Sequence, residues 1–216
     1  MNTKIKEIFA SIQGEGPVVG YKQLFVRFCD CNLHCSYCDT DFEKENSKEY
    51  SPKELFEKIT KEYDLKSFHS ISLTGGEPLL SVEFLKEFLP MLKGKIKIYL
   101  ETNATLLSNL EEIKDYVDII AGDIKLESST GLDTMKLHER FFEKCSGVET
   151  FAKVVFDDKI TDEEISKVIA IGKNNNLELV LQPKMIGDKM SVNSDFCNEI
   201  LDRITLIYPK DRKSVV

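Results

Sequence analysis

Three of the chain's six cysteines fall within eight positions, in CNLHCSYC: Cys31, Cys35 and Cys38. Clustered thiolates hold soft or borderline metals. A closed zinc site takes four protein ligands, and so does an electron-transfer iron–sulfur cluster. Three thiols leave two readings. His34 completes a zinc site, or the three thiolates hold a 4Fe–4S cluster whose fourth iron stays open to a substrate or cofactor. Cys29 lies just before the loop, on an apolar run, poorly placed to share a metal with Cys31. One short loop carrying all three favours the open cluster.

The other residues able to do chemistry sit in short polar or glycine-bearing stretches: QGEGP (13–17), Arg27 inside FVRF, TGGEP (74–78), ETN (101–103), DIK (123–125) and LQP (181–183). An arginine inside an apolar strand is costly unless paired, and its fork suits a carboxylate. QGEGP is polar and short enough for its backbone to meet a flat heterocycle edge.

Something must bring these stretches together. QLFVRFCD (23–30), HSISLTG (69–75), KIKIYLET (95–102), VDIIAGDIK (117–125), TFAKVVF (150–156) and LELVLQP (177–183) read as strands. Helical spacing follows each: over 51–63 with Ser51 and Glu54 as a capping box, over 81–94 with Pro90 kinking or ending it, over 108–116 with Ser108 and Glu111 as a box, over 133–147, over 161–175 with Thr161 and Glu164 as a box, and over 194–204. Six strand–helix alternations predict a parallel sheet with right-handed crossovers, as an open sheet or a complete or partial barrel. In each, the loops after the strands carry the chemistry, and that is where the polar stretches fall.

Composition limits the function classes. The net charge is −8, with no basic block, which disfavours nucleic-acid binding. No apolar run approaches the roughly 20 residues of a membrane span, and the N-terminus lacks a signal pattern. A cytoplasmic, reducing setting is expected, in which clustered cysteines are ligands rather than disulfides. His69, His138, Cys145 and Cys197 read as structural.

C-x3-C-x2-C after a first strand resembles the signature of the radical S-adenosylmethionine (SAM) superfamily, and TGGEP resembles its GGE motif. The resemblance implies an α/β fold, a partial (β/α)6 barrel of parallel strands. It implies a single domain over 1–216, with residues 1–22 as an N-terminal substrate-contact segment. It also implies a 4Fe–4S cluster whose open iron binds SAM and whose electron cleaves it to a 5′-deoxyadenosyl radical. Read further, SIQGEG, FVRF, CNLHCSYCDTDF, LTGGEPLL, ETNATL and LQP together look like the 7-carboxy-7-deazaguanine synthase family. That family converts 6-carboxy-5,6,7,8-tetrahydropterin to 7-carboxy-7-deazaguanine by radical ring contraction with loss of ammonia, in queuosine and 7-deazapurine biosynthesis. Implied with it are Mg²⁺, a homodimer, and an electron donor such as flavodoxin or ferredoxin.

Carried over by motif, Cys31, Cys35 and Cys38 match the cluster ligands. Tyr37, Cys38, Asp39, Gly76, Glu77, Asp123, Ile124, Lys125, Gln182, Pro183, Lys184 and Met185 match segments along SAM, with Glu101 and Asn103 as contacts of the same kind. Ile12, Gln13, Gly14, Arg27 and Thr74 match substrate contacts, and Thr40 a Mg²⁺ ligand. The chain departs from the family at Ala104, where Gly is usual, and in its C-terminal YPKDRKSVV, which puts a role for Val216 in doubt. Two other functions share the cysteine spacing: an activase of a glycyl-radical enzyme, and a metal-stabilised binding module without turnover.

Overall fold

In the central strands one alternate set of residues is mostly aliphatic or aromatic while the other mixes charged, polar and apolar side chains, so a sheet built from them has two unlike faces. The computed structural model describes residues 1–38 and 47–209, and the backbone of 213–214. Asp39, Thr40 and most of the C-terminal segment, including Val216, lie outside the described residues. The strands are β1 (Thr3–Ile12), β2 (Lys22–Phe28), β3 (Lys48–Tyr50), β4 (Ser70–Gly75), β5 (Lys97–Thr102), β6 (Ile119–Lys125), β7 (Glu149–Phe156), β8 (Glu178–Pro183), the hairpin β9 (Met185–Ile186) and β10 (Lys189–Met190), and β11 (Lys213–Ser214). The helices are α1 (Pro52–Glu62), α2 (Val82–Leu92), α3 (Leu107–Ile113), α4 (Glu127–Thr130), α5 (Met135–Lys144), α6 (Asp162–Asn175) and α7 (Ser194–Ile207).

Among the described residues, nine strands form one sheet in the order β11-β8-β7-β6-β5-β4-β2-β1-β3. From β2 across to β11 neighbouring strands run parallel. The six expected strands are all present and lie in sequence order across the sheet, each beside its predecessor. Edges remain at β11 and β3, so the sheet does not close. Within the N-terminal segment, Thr3–Ile12 is a full strand, antiparallel to β2 and β3.

Helices cover one face. Leu24, Val26, Phe28, Ile71, Leu73, Ile98, Leu100, Ile120, Ile124, Val154 and Leu181 point there and pack with Leu55, Ile59, Phe88, Phe141, Ile169 and Ile204 of the helices. This is the main core, and the hydrophobic burial in it dominates stability. The opposite face carries a small apolar plug: Val18, Tyr99, Ile119, Ala121, Phe151 and Val180. A 3-10 turn over Gly16–Val18 contributes Val18 to that plug. Gly16 has φ +69, and a Cβ there would lie 2.6 Å from the Phe151 ring, so glycine is required for the loop to seat.

The capping boxes at Ser51/Glu54 and Thr161/Glu164 form as expected, each with reciprocal hydrogen bonds. The one expected at Ser108 does not: α3 begins at Leu107, preceded by Leu106 with no side-chain cap. α2 runs two residues beyond Pro90, to Leu92. A proline there lacks a donor but sits in the last turn, so little of the helix depends on it.

Candidate active site

The polar residues of the uncovered face, with the loops after β2, β4, β5, β6 and β8, line a cleft of about 640 Å³. Cys31, Cys35, Tyr37 and Cys38 form one rim; Gln13, Gly14, Glu15, Phe25 and Arg27 approach from the N-terminal strands; Thr74, Glu101, Asp123, Lys125, Lys153 and Gln182 stand between. That volume suits two small ligands side by side.

The cysteine loop is fixed from several directions. Gly76 N–H donates to Phe28 O at 3.0 Å, and Glu77 N–H to Asp30 O at 2.7 Å. A Cβ on Gly76 would fall 2.2 Å from Asp30 O, so the end of β4 can touch the start of this loop only without a side chain. Ser36 Oγ donates to Ser129 O at 2.7 Å, anchoring the loop to α4. All three thiols are free. Burial pushes the Cys31 and Cys35 thiols up, and for Cys35 the Lys125 ammonium pulls part of the way back. A bound cation would be needed to hold them as thiolates.

Across the cleft runs a line of charges of alternating sign. Glu15 Oε2 lies 2.9 Å from Lys153 Nζ, Lys153 Nζ 3.3 Å from Asp123 Oδ1, and Asp123 Oδ2 2.7 Å from Lys125 Nζ. Lys125 Nζ then donates to Tyr37 Oη at 3.4 Å. Burial alone would raise the Asp123 carboxyl, but the two ammoniums outweigh it and hold it below the usual range. Burial would lower both lysines, but Asp123, joined by Tyr37 at Lys125 and by Glu101 and Glu15 at Lys153, outweighs it and holds both above the ordinary value. Tyr37 is pushed up to about 12 by burial, and the Lys125 and Lys184 ammoniums lie 5.5 and 5.6 Å from its ring centroid.

A second network holds the N-terminal loop. Gln13 Nε2 donates to Gln23 Oε1 and to Glu101 Oε1, both at 3.0 Å, and Gln13 Oε1 accepts the Glu15 N–H at 3.1 Å. Thr74 Oγ1 donates to Glu101 Oε2 at 2.7 Å. Arg27 lines the cleft beside its cross-strand neighbour Glu7, its Nε 2.6 Å from Glu7 Oε1. The guanidinium is also 5.7 Å from the Phe9 ring.

Several expected contacts sit elsewhere. Ile12 is exposed and does not border the cleft. The Ile124 side chain is in the helix-side core, because alternation along β6 turns Asp123 and Lys125 inward and Ile124 outward. Glu77 is fully buried, and its carboxylate accepts from the Leu79 and Asn103 N–H groups and the Thr102 hydroxyl at 2.7–3.0 Å. It ties the β4 loop to the end of β5 rather than bordering the cleft. Lys184 pairs with Asp157 at 3.3 Å, at the rim. Gln182, Pro183 and Met185 border the cleft as expected.

Glu15 and Lys153 of the charge line, outside the expected set, also border the cleft. His138 does not, and supports it from behind. The ring of His138 is buried on α5, yet its Nε2 accepts the Lys125 N–H at 3.0 Å and its Nδ1 reaches Ala104 O at 3.2 Å. Nδ1 therefore carries the proton, and the ring ties the ends of β5 and β6 together. Burial lowers it to about 4, so it stays neutral.

Residues 26–169 match the model of the radical SAM superfamily. The 7-carboxy-7-deazaguanine synthase of Geobacter sulfurreducens is 33% identical over 88% of this chain and 85% of its own length. That of Archaeoglobus fulgidus is 36% identical over 85% and 84%. The chain belongs to the 7-carboxy-7-deazaguanine synthase family of the radical SAM superfamily. The crystal structure of QueE from Escherichia coli, at 18% identity, covers 98% of this chain and 92% of that one with a TM-score of 0.66, a likeness of fold.

Radical SAM family membership carries a 4Fe–4S cluster and SAM, and the residues present fit both. Among the described residues no three His, Cys, Asp or Glu side chains converge on a single ion. A cubane takes its three thiolates on three different irons and needs them spread around one space, as Cys31, Cys35 and Cys38 are along the rim. The neighbouring wall offers an aromatic ring, an acid and an ammonium, donors and acceptors suited to an amino acid joined to a nucleoside.

Proposed function

We propose that this chain acts as a 7-carboxy-7-deazaguanine synthase, converting 6-carboxy-5,6,7,8-tetrahydropterin to 7-carboxy-7-deazaguanine with loss of ammonia. The observation that carries this reading is a single cleft in which three free thiols face Gln13, Arg27, Thr74 and Glu101 across the Asp123–Lys125 wall. When bound, the cluster and SAM supply the electron and the radical that abstracts a substrate hydrogen.

The chain's own residues do the binding and orienting. Tyr37, Asp123, Lys125, Gln182, Pro183 and Met185 form the SAM side. Arg27 reads the substrate carboxylate with a planar fork that lysine lacks. Glu101, grouped by sequence with the SAM contacts, falls to the substrate side, because its partners are Gln13 and Thr74. Gly14 offers backbone at the same wall. Glu77 acts indirectly, by fixing the loop after β4. Thr40 supplies a hydroxyl to Mg²⁺, which takes oxygen ligands and keeps room for substrate oxygens. The enzyme works as a cytoplasmic homodimer within one domain and takes its electron from a flavodoxin- or ferredoxin-like donor. No described helix is long and apolar enough to cross a membrane.

Anaerobically reconstituted protein, given SAM, dithionite, Mg²⁺ and the carboxytetrahydropterin, should release a product with the mass of 7-carboxy-7-deazaguanine. Protein that carries a cluster and cleaves SAM yet leaves the pterin unchanged would overturn the substrate assignment. Equal turnover in EDTA and in millimolar Mg²⁺ would remove the metal role.

A further inference from the structure

Asn103 follows the last residue of β5 and is 6% exposed. Its side-chain amide can face only one way. Oδ1 accepts the Thr105 N–H at 3.2 Å and the Thr105 hydroxyl at 2.6 Å. A flipped amide would set its NH₂ against a backbone N–H, donor against donor. Nδ2 therefore faces the cysteine loop. One of its hydrogens goes to Asn32 Oδ1 at 2.9 Å, and Nδ2 also donates to Cys31 Sγ at 3.7 Å.

The surroundings make this orientation firm. The Asn103 N–H is held by Glu77 Oε2 at 2.7 Å. Asn32 Nδ2 returns a bond to Thr105 Oγ1 at 3.0 Å, closing a ring through Asn103, Thr105 and Asn32. The Leu33 N–H also reaches Cys31 Sγ, at 3.4 Å. Two N–H donors thus meet one sulfur, one from the loop's own backbone and one from the segment after β5.

We propose that Asn103 is a positioning residue that tunes the cluster through Cys31: its N–H···S bond holds the thiolate and raises the reduction potential of the cluster ligated there. This rests on the reading of Cys31 as a cluster ligand. An added electron increases the negative charge on the cluster and its sulfurs, so a donor to sulfur stabilises the reduced form more than the oxidised one. An electron from the physiological donor then reaches the cluster more readily. Glu77 belongs to the same device, since it fixes the backbone from which Asn103 reaches across.

The test is potentiometry on reconstituted protein, followed by EPR of the reduced cluster, with Asn103→Leu as a variant of similar size and no donor. Expected are undiminished iron and sulfide content and a one-electron equilibrium shifted about tenfold toward the oxidised form. That corresponds to a potential lower by about 59 mV. A full cluster whose equilibrium moves less than twofold would overturn the tuning role. A merely structural asparagine would change cluster content or stability and leave the potential alone.

If Asn103→Leu assembles no cluster, wild-type protein labelled with ¹⁵N in asparagine side chains decides by pulsed EPR. A ¹⁵N coupling to the reduced cluster supports the bond, and its absence refutes it. Cys31→Ala separates the two levels. Wild type without a cluster, or Cys31→Ala with a full one, refutes the ligand assignment itself. An intact cluster lost in Cys31→Ala but unmoved in Asn103→Leu refutes only the tuning.

Discussion

The two faces of the sheet are made by the same strands and do opposite work. Toward the helices, alternate residues from Leu24 on β2 to Leu181 on β8 meet other apolar side chains, and stability comes from burial. Toward the cleft, the intervening residues are Thr74, Glu101, Asp123, Lys125, Lys153 and Gln182, and every charge there needs a partner. One face tolerates exchange of shapes within a fixed volume. The other is specified atom by atom. A period of two lets one strand serve both, so a change at one position should damage one function and spare the other.

The sharpest contrast lies between cysteines. Cys35→Ala should abolish cluster assembly and SAM cleavage, whereas Cys145→Ala, buried on the helix side, should do neither; iron content and 5′-deoxyadenosine release decide. Cys35→Ala with full activity would remove the cleft-side assignment.

A matched pair comes next, read by urea unfolding of the cluster-free protein. Phe88→Ala on the helix side should cost about 3–5 kcal/mol. It should leave substrate KM unchanged in protein that still folds. Lys153→Met on the cleft side strips the cation shared by Asp123 and Glu15. It should cost about 3 kcal/mol, toward the low end for a broken buried pair because Glu15 keeps access to water. It should also lower kcat/KM. A loss below 1 kcal/mol for Lys153→Met would mean that the charge line is solvated.

Glu77 sharpens the comparison through pH. Its carboxyl is pushed from 4.5 to about 7, chiefly by burial, against the pull of the Asn103, Leu79 and Thr102 donors. Between those values the folded chain holds a proton that the unfolded chain has released. Stability from this group is therefore full below pH 4.5, falls as pH rises, and levels off above about pH 7, a total of about 3 kcal/mol. The stability difference between wild type and Glu77→Gln should shift against wild type from pH 5 to pH 8. A flat difference would show that the donors, not burial, set its ionisation.

The smallest effect belongs to Ala104, a buried residue at φ +54. Ala104→Gly removes the left-handed cost of a Cβ, about 1 kcal/mol, and loses one buried methyl of roughly equal worth. Thermal unfolding should move by less than about 1 kcal/mol in either direction.

Much of this was legible beforehand. Six alternations, the helix-side face and two capping boxes follow from period and cap chemistry, which are local. The cysteine rim and TGGEP followed from spacing. The strand β1 was missed because its pattern is broken by charges and its partners are set by tertiary pairing. Glu15 and Lys153 were missed for a related reason: each acts through a partner far along the chain. His138 is structural, as its sequence context suggested. Glu77 was read as a ligand contact because its motif names the residue but not the direction of its side chain. Gly76 borders the cleft as its motif implied, and the atom nearest its missing Cβ, Asp30 O, adds a reason for glycine that the motif did not show.

The floor of the cleft is closed by residues 13–18, yet their partners come late. Val18 packs on Tyr99, Phe151 and Val180. Glu15 meets Lys153, 138 positions downstream. During synthesis the N-terminal hairpin can pair early, but its connecting loop has nothing to rest on until most of the sheet has left the ribosome. The substrate pocket is thus among the last parts of the molecule to exist, and a chain stopped short of β8 would carry a helix-side core over an unfinished floor.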